Sequence, residues 1–171
     1  MLRSIICAVC LLLSVPLAAS ARTPDHAAEW NGAEINWRDV RSGIYEASQT
    51  GRPVIMVFHA TWCSACKRFR KVFNDPAIVA ASRDFVMILV DADAEKGING
   101  AFSPDGTYVP RTLFIDSDGD VSDKLVGSDS QYPHSLSVDN PKELLALMKK
   151  AHDVFKMDRV ASPPPPGENR T

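Results

Sequence analysis

The 171-residue sequence predicts an α/β domain, a central mixed β-sheet with helices on both faces. Three observations carry this. Residues 54–58 and 85–90 are apolar at every position, as strands covered on both sides are. A helical pattern separates them, so the two should run parallel through a right-handed crossover. A third apolar strand, 113–115, turns at Asp116-Ser117-Asp118-Gly119 into a weaker strand over 121–125, and that hairpin makes the sheet mixed.

The elements follow in order. Residues 22–35 are polar and irregular. Asn36 reads as a helix N-cap, with Trp37, Val40, Ile44 and Ala47 at helical spacing behind it and Gly51-Arg52-Pro53 as the stop. After the first strand, Trp62-Cys63 opens a helix. Its apolar face is Cys66, Phe69, Val72 and Phe73, and its polar face is Lys67, Arg68, Arg70 and Lys71. Pro76–Ser82 continues it or forms a second short helix. Residues 91–110 read as a loop, and a loop that long usually has a function or is disordered. Asn140-Pro141-Lys142-Glu143 supplies an N-cap, a proline at the first helical position and a capping glutamate. Leu144, Leu147, Met148, Ala151 and Phe155 form the stripe of the last helix.

The ends of the chain read differently. Met1-Leu2-Arg3 is a basic start, residues 5–17 are apolar apart from Ser14, and Ala19-Ser20-Ala21 fits a small-x-small cleavage site. Residues 1–21 therefore read as a secretory signal peptide, with an apolar part too short for a typical spanning helix and no membrane attachment after cleavage. The expected organisation is signal 1–21, irregular segment 22–35, folded domain 36–156 and a proline-rich disordered tail 157–171. The cut leaves about 150 residues, enough to bury about two thirds of the unfolded surface without staples. Hydrophobic residues make up 45% and charged residues 23%, as in globular proteins. The net charge of −2 gives no basic surplus for a phosphate backbone, which argues against a nucleic-acid partner.

Removing the signal takes Cys7 and Cys10 with it and leaves Cys63 and Cys66. That pair closes almost no loop, so it can add little to stability, and its value lies in chemistry. Cys63 follows a buried strand and opens a helix, where backbone N–H groups favour an anion and lower a thiol pKa. Cys66 is one turn on, at a separation that suits a disulfide, and lies on the apolar stripe. Cys63 is thus expected to attack a disulfide in another molecule, and the more buried Cys66 to resolve the mixed disulfide. Trp62 offers an apolar contact surface beside them.

Other chemistries fit less well. Half a zinc site lacks a second Cys or His pair at ligand spacing, so no metal is expected. His59, at a strand end, reads as a structural or surface histidine rather than the base of a cysteine hydrolase. The clusters Asp91-Ala92-Asp93-Ala94-Glu95 and Asp116-Ser117-Asp118-Gly119-Asp120 lack the glycine and glutamate that a calcium loop needs, and read as solvated turns.

Trp62-Cys63-Ser64-Ala65-Cys66-Lys67 resembles the active-site motif of the thioredoxin superfamily. Phe102-Ser103-Pro104-Asp105-Gly106-Thr107-Tyr108-Val109-Pro110-Arg111 narrows the resemblance to the subgroup of thioredoxin domain-containing protein 12 and its anterior gradient relatives, over residues 37–155. The resemblance implies a thioredoxin-like fold, residence in the endoplasmic reticulum lumen, and thiol–disulfide exchange on protein substrates, with glutathione as an optional redox partner and no bound cofactor. It implies that Pro110 is the cis-proline beside the site and that Val109 offers its backbone to a substrate strand. The rival it raises is a non-catalytic client-binding or secreted signalling protein. Those relatives tend to lack the second cysteine, and this chain keeps it. Three departures matter. The family's buried carboxylate, six residues before the first cysteine, is Val57 here, so proton transfer to Cys66 needs another group or water. The dipeptide between the cysteines is Ser64-Ala65. The sequence ends Glu168-Asn169-Arg170-Thr171, without a retrieval signal, so secretion is expected beside retention.

Overall fold

The computed structural model describes residues 22–161. Four strands form one sheet in the order β1 (Trp37–Arg38), β3 (Val86–Asp91), β2 (Val54–His59), β4 (Arg111–Ile115). β2 runs parallel to β3, which runs parallel to β1, and β4 is antiparallel to β2, so the sheet is mixed as expected.

Every residue of β2 and β4 is buried, because helices cover both faces. On one face Ile55, Val57, Met87, Leu89 and Phe114 pack under α2 (Ser64–Phe69), α3 (Pro76–Ser82) and α5 (Pro141–Ala161). On the other, Val54, Met56, Phe58, Val86 and Ile88 pack under α1 (Val40–Thr50) and α4 (Lys96–Ala101). The anticipated stripe of α5 is in the core along its length: Leu144, Leu147, Met148, Ala151 and Phe155 are buried.

Several expectations need correction. The first helix starts at Val40, not after Asn36, because Asp39 is extended and its Oδ1 accepts the Ser42 N–H at 2.9 Å. Trp37, three residues before Val40, mimics a helical stripe but lies in β1 opposite Met87. Residues 22–35, read as an irregular segment before the domain, hold a 3-10 turn, Ala27–Trp30, and bury Ala27, Trp30 and Ile35. The Trp37 indole N–H donates to the Trp30 carbonyl at 2.7 Å, which ties that segment to the sheet. The loop 91–110 contains α4. Gly97 and Gly100 hide it from propensity, and Ile98 and Phe102 settle it against the core.

The second half of the hairpin reduces to a single bridge between Ile115 and Val121, since the Asp116 carboxylate turns the chain by accepting the N–H groups of Asp118 and Asp120. Ser122 N–H reaches the Phe114 carbonyl at 2.9 Å, and Thr112 N–H reaches the His134 carbonyl at 2.8 Å, so the following loop lies along β4. Glu143 does not close a capping box. Its carboxylate accepts the N–H groups of Ser128 and Ser137 instead, while the Asn140 side chain accepts the Lys142 N–H. The last helix runs to Ala161, so residues 157–161 are helical rather than tail. The signal segment and the proline-rich run lie outside the described residues.

Candidate functional site

Sheet register decides where the site lies. His59 pairs with Asp91, and Phe58 pairs with both Val90 and Arg111. The chain leaving β2, the chain leaving β3 and the chain entering β4 therefore meet at one border of the sheet. The first ends at Cys63, the second holds Asp93, and the third holds Val109 and Pro110.

Cys63 is the N-cap of α2. Its backbone is extended, and its N–H is tied to the Ala60 carbonyl at 3.2 Å in the turn after β2. Cys63 and Cys66 form a disulfide with Cα atoms 5.2 Å apart, within the usual range. The Cys66 backbone N–H points at Cys63 Sγ at 3.1 Å. The helix behind it is only six residues long and tightens at once into a 3-10 turn, Arg70–Asn74. The anion-stabilising element at Cys63 is thus this one N–H more than a long helix. Both cysteines are buried, Cys66 slightly the more, as expected: Cys63 is 5% exposed and Cys66 2%. The difference between them lies in this hydrogen bond and in what stands in front of Cys63.

That is the cis-proline loop. The Val109–Pro110 peptide is cis, and the Val109 carbonyl oxygen lies 3.6 Å from Cys63 Sγ, where a reduced thiol could donate to it. On the solvent side Trp62 is 69% exposed, and its indole N–H donates to Asp93 Oδ2 at 2.7 Å. The indole face is therefore held open beside the sulfurs rather than folded into the core. Of the five residues picked from the sequence, Trp62 and Cys63 lie on the first of these segments, Val109 and Pro110 on the third, and Cys66 in the first turn of α2 behind Cys63.

The thioredoxin-like family model matches residues 36–117. Anterior gradient protein 3 of Xenopus tropicalis is 31% identical over 149 residues, which cover 82% of this chain and 88% of that protein. The chain belongs to the anterior gradient family of thioredoxin-like proteins. Anterior gradient protein 3 of Mus musculus matches at 30% identity over 84% of this chain and 92% of its own. Among solved structures, a disulphide isomerase from Xylella fastidiosa Temecula1 superposes with a TM-score of 0.53 at 19% identity, covering 79% of this chain and 99% of that one. A thioredoxin from Thermus thermophilus gives 0.58 at 18%, covering 74% and 93%. At those identities the likeness is one of fold.

At the same border of the sheet, this anterior gradient family member carries buried polar groups that the sequence did not point to. His59 is buried at the end of β2, its ring against Trp30 at 5.2 Å and edge-on to His26 at 5.6 Å, and its Nε2 has no hydrogen-bond partner among the described residues. Burial holds its pKa below the ordinary value, against the pull of Asp91. Arg111 is wholly buried, its guanidinium 4.2 Å over the Phe58 ring. Asp105 is partly desolvated, which would raise its pKa, yet hydrogen bonds from Tyr108 and His134 outweigh that and hold it low. Only the unusual density of polar residues in 103–111 could have hinted at the last two. The acidic clusters behave as turns: Asp91 Oδ1 accepts the N–H groups of Asp93 and Ala94, as Asp116 does for its own turn. Val57, at the position of the family's carboxylate, is buried in the same apolar cluster as Cys66.

Proposed function

We propose that the protein is a thiol–disulfide oxidoreductase of the secretory pathway, acting on protein disulfides through Cys63 and Cys66, with glutathione as a redox partner. The observation that carries this reading is the Cys63–Cys66 disulfide facing the Val109 carbonyl at the cis-proline loop. In the reduced protein the Cys66 N–H stabilises a Cys63 thiolate, since a hydrogen bond to the charged form lowers a pKa. That thiolate attacks one sulfur of a client disulfide. A Cys63–client S–S bond forms, the client S–S bond breaks, and one client thiolate leaves. Cys66 then attacks Cys63 Sγ, which forms the Cys63–Cys66 disulfide and releases the second client thiolate. The client gains two electrons and the pair loses them, and the reverse sequence oxidises a client. Trp62 and the Val109 backbone are the surfaces against which the client chain rests. The apolar start of the sequence supports entry into the secretory pathway, where such disulfides persist.

Replacing Cys66 by Ser tests the reading, because a hydroxyl cannot displace the mixed disulfide. Covalent client complexes should accumulate in cells and dissolve on reduction, and the Cys63→Ser, Cys66→Ser double variant should form none. Client recovery that is the same in the double variant, with no reducible complexes from Cys66→Ser, would overturn it in favour of a client-binding protein.

A further inference from the structure

The stretch from Ser103 to Arg111 is not used up by sulfur chemistry, and its side chains are organised around one carboxylate. Asp105 Oδ2 accepts the Tyr108 hydroxyl, and Oδ1 stands 3.0 Å from Nδ1 of the buried His134. The Tyr108 oxygen in turn accepts the backbone N–H of His134 at 3.0 Å. From the other side, Arg111 Nη1 donates to the Tyr108 carbonyl at 3.0 Å. Its Nη2 is anchored on Asn99 Oδ1 at 2.7 Å and on the Phe102 carbonyl at 3.0 Å. The His134 carbonyl accepts the Thr112 N–H at 2.8 Å.

Tyr108 is therefore gripped at its hydroxyl and at its carbonyl, and Thr112 is gripped beyond Pro110. Between these grips stand Val109 and Pro110, which have no polar side chain with which to fix themselves. The Val109 carbonyl, 3.6 Å from Cys63 Sγ, takes its position from its neighbours. A network that uses a buried guanidinium, a carboxylate, a phenol and an imidazole to hold two apolar residues is costly unless the position of those two residues matters.

We propose that Asp105, bridging Tyr108 and His134, is a positioning residue that together with Arg111 holds the Val109 backbone beside Cys63 Sγ, so that a client polypeptide meets the sulfur in one fixed register. The inference rests on the oxidoreductase reading above and adds the residues that set client specificity. It separates two kinds of disulfide. A peptide disulfide has a backbone to pair with Val109 and feels the network. A small aromatic disulfide has none and meets only the sulfur.

The test follows a single turnover of the full chain, reduced beforehand and freed of reductant, on two chromogenic probes, a peptide whose cysteine is joined to thionitrobenzoate and the symmetrical dinitrobenzoate disulfide; each releases thionitrobenzoate as the Cys63–Cys66 disulfide forms. Asp105→Asn should lower the ratio of the peptide rate constant to the small-disulfide rate constant about tenfold, through a higher half-saturating peptide concentration rather than a slower limiting rate. Tyr108→Phe, which loses only the hydroxyl, should lower it in the same direction and guards against a folding defect in the first variant. A ratio that does not change, or a ratio preserved by equal losses on both probes, overturns the proposal while the oxidoreductase reading stands. Failure of the unaltered, reduced protein to react with either probe overturns that reading and the proposal together.

Discussion

Burial strips water from the His59 imidazole and keeps its pKa below the ordinary 6.5. The folded chain then binds fewer protons at this site than the unfolded chain does. Stability from His59 is complete above the unfolded value and is lost as pH falls through the folded one. We expect the denaturant midpoint to drop between about pH 7 and pH 5, and His59→Gln to remove part of that slope, read from urea titrations of both proteins. Identical slopes in the two proteins would refute it. Asp105 acts in the same direction lower on the scale, since its hydrogen bonds favour the carboxylate and are lost on protonation. Single residues differed in how far they could be read beforehand. Cys63 and Cys66 were readable from spacing and context alone, and Pro110 from its motif. The indole bond from Trp62 to Asp93 and the packing of Trp30 on His59 were not, because each joins residues about thirty positions apart that only the sheet register brings together.

Helix α1 shows how a packing distance can overrule local preference. Gly43 faces β3, and a Cβ added there would stand 2.5 Å from Cδ1 and Cγ1 of Ile88, which is itself fully buried. On propensity alone Gly43→Ala should stabilise a helix by about 1 kcal/mol. Overpacking of a rigid core costs about 1–3 kcal/mol, so a net loss of about 1 kcal/mol or more is expected. Urea denaturation would give a lower midpoint at unchanged slope, and a higher midpoint would mean that α1 can shift off the sheet. The strands were the easiest elements to read, because a short run that is apolar at every position and bounded by turn residues suits a strand covered on both faces. Boundaries set by side-chain acceptors were harder. Asp39 rather than Asn36 caps α1, and Glu143 was diverted from its own helix to the loop at Ser128 and Ser137.

The core on the α5 side is stitched together by aromatic rings from distant parts of the chain. Trp30 contacts Trp37, Phe69, Phe73 and His59, with ring centroids 5.2 to 6.4 Å apart. Asn31 Nδ2 adds a hydrogen bond to the Phe73 carbonyl at 2.9 Å. The N-terminal segment is thus a part of the domain that its polar composition concealed. Trp30→Ala should cost about 3–5 kcal/mol, measured by thermal or chemical unfolding, and a loss under about 1 kcal/mol would show the segment to be dispensable. The two borders of the sheet have a further consequence. β1 is two residues long, and the loop after β4 covers that strand through the Ser122–Phe114 and Thr112–His134 hydrogen bonds and the Ile115–Val121 bridge. Among the described residues, one copy therefore offers the next almost no bare strand to zip onto, which guards the folded domain against edge-to-edge pairing.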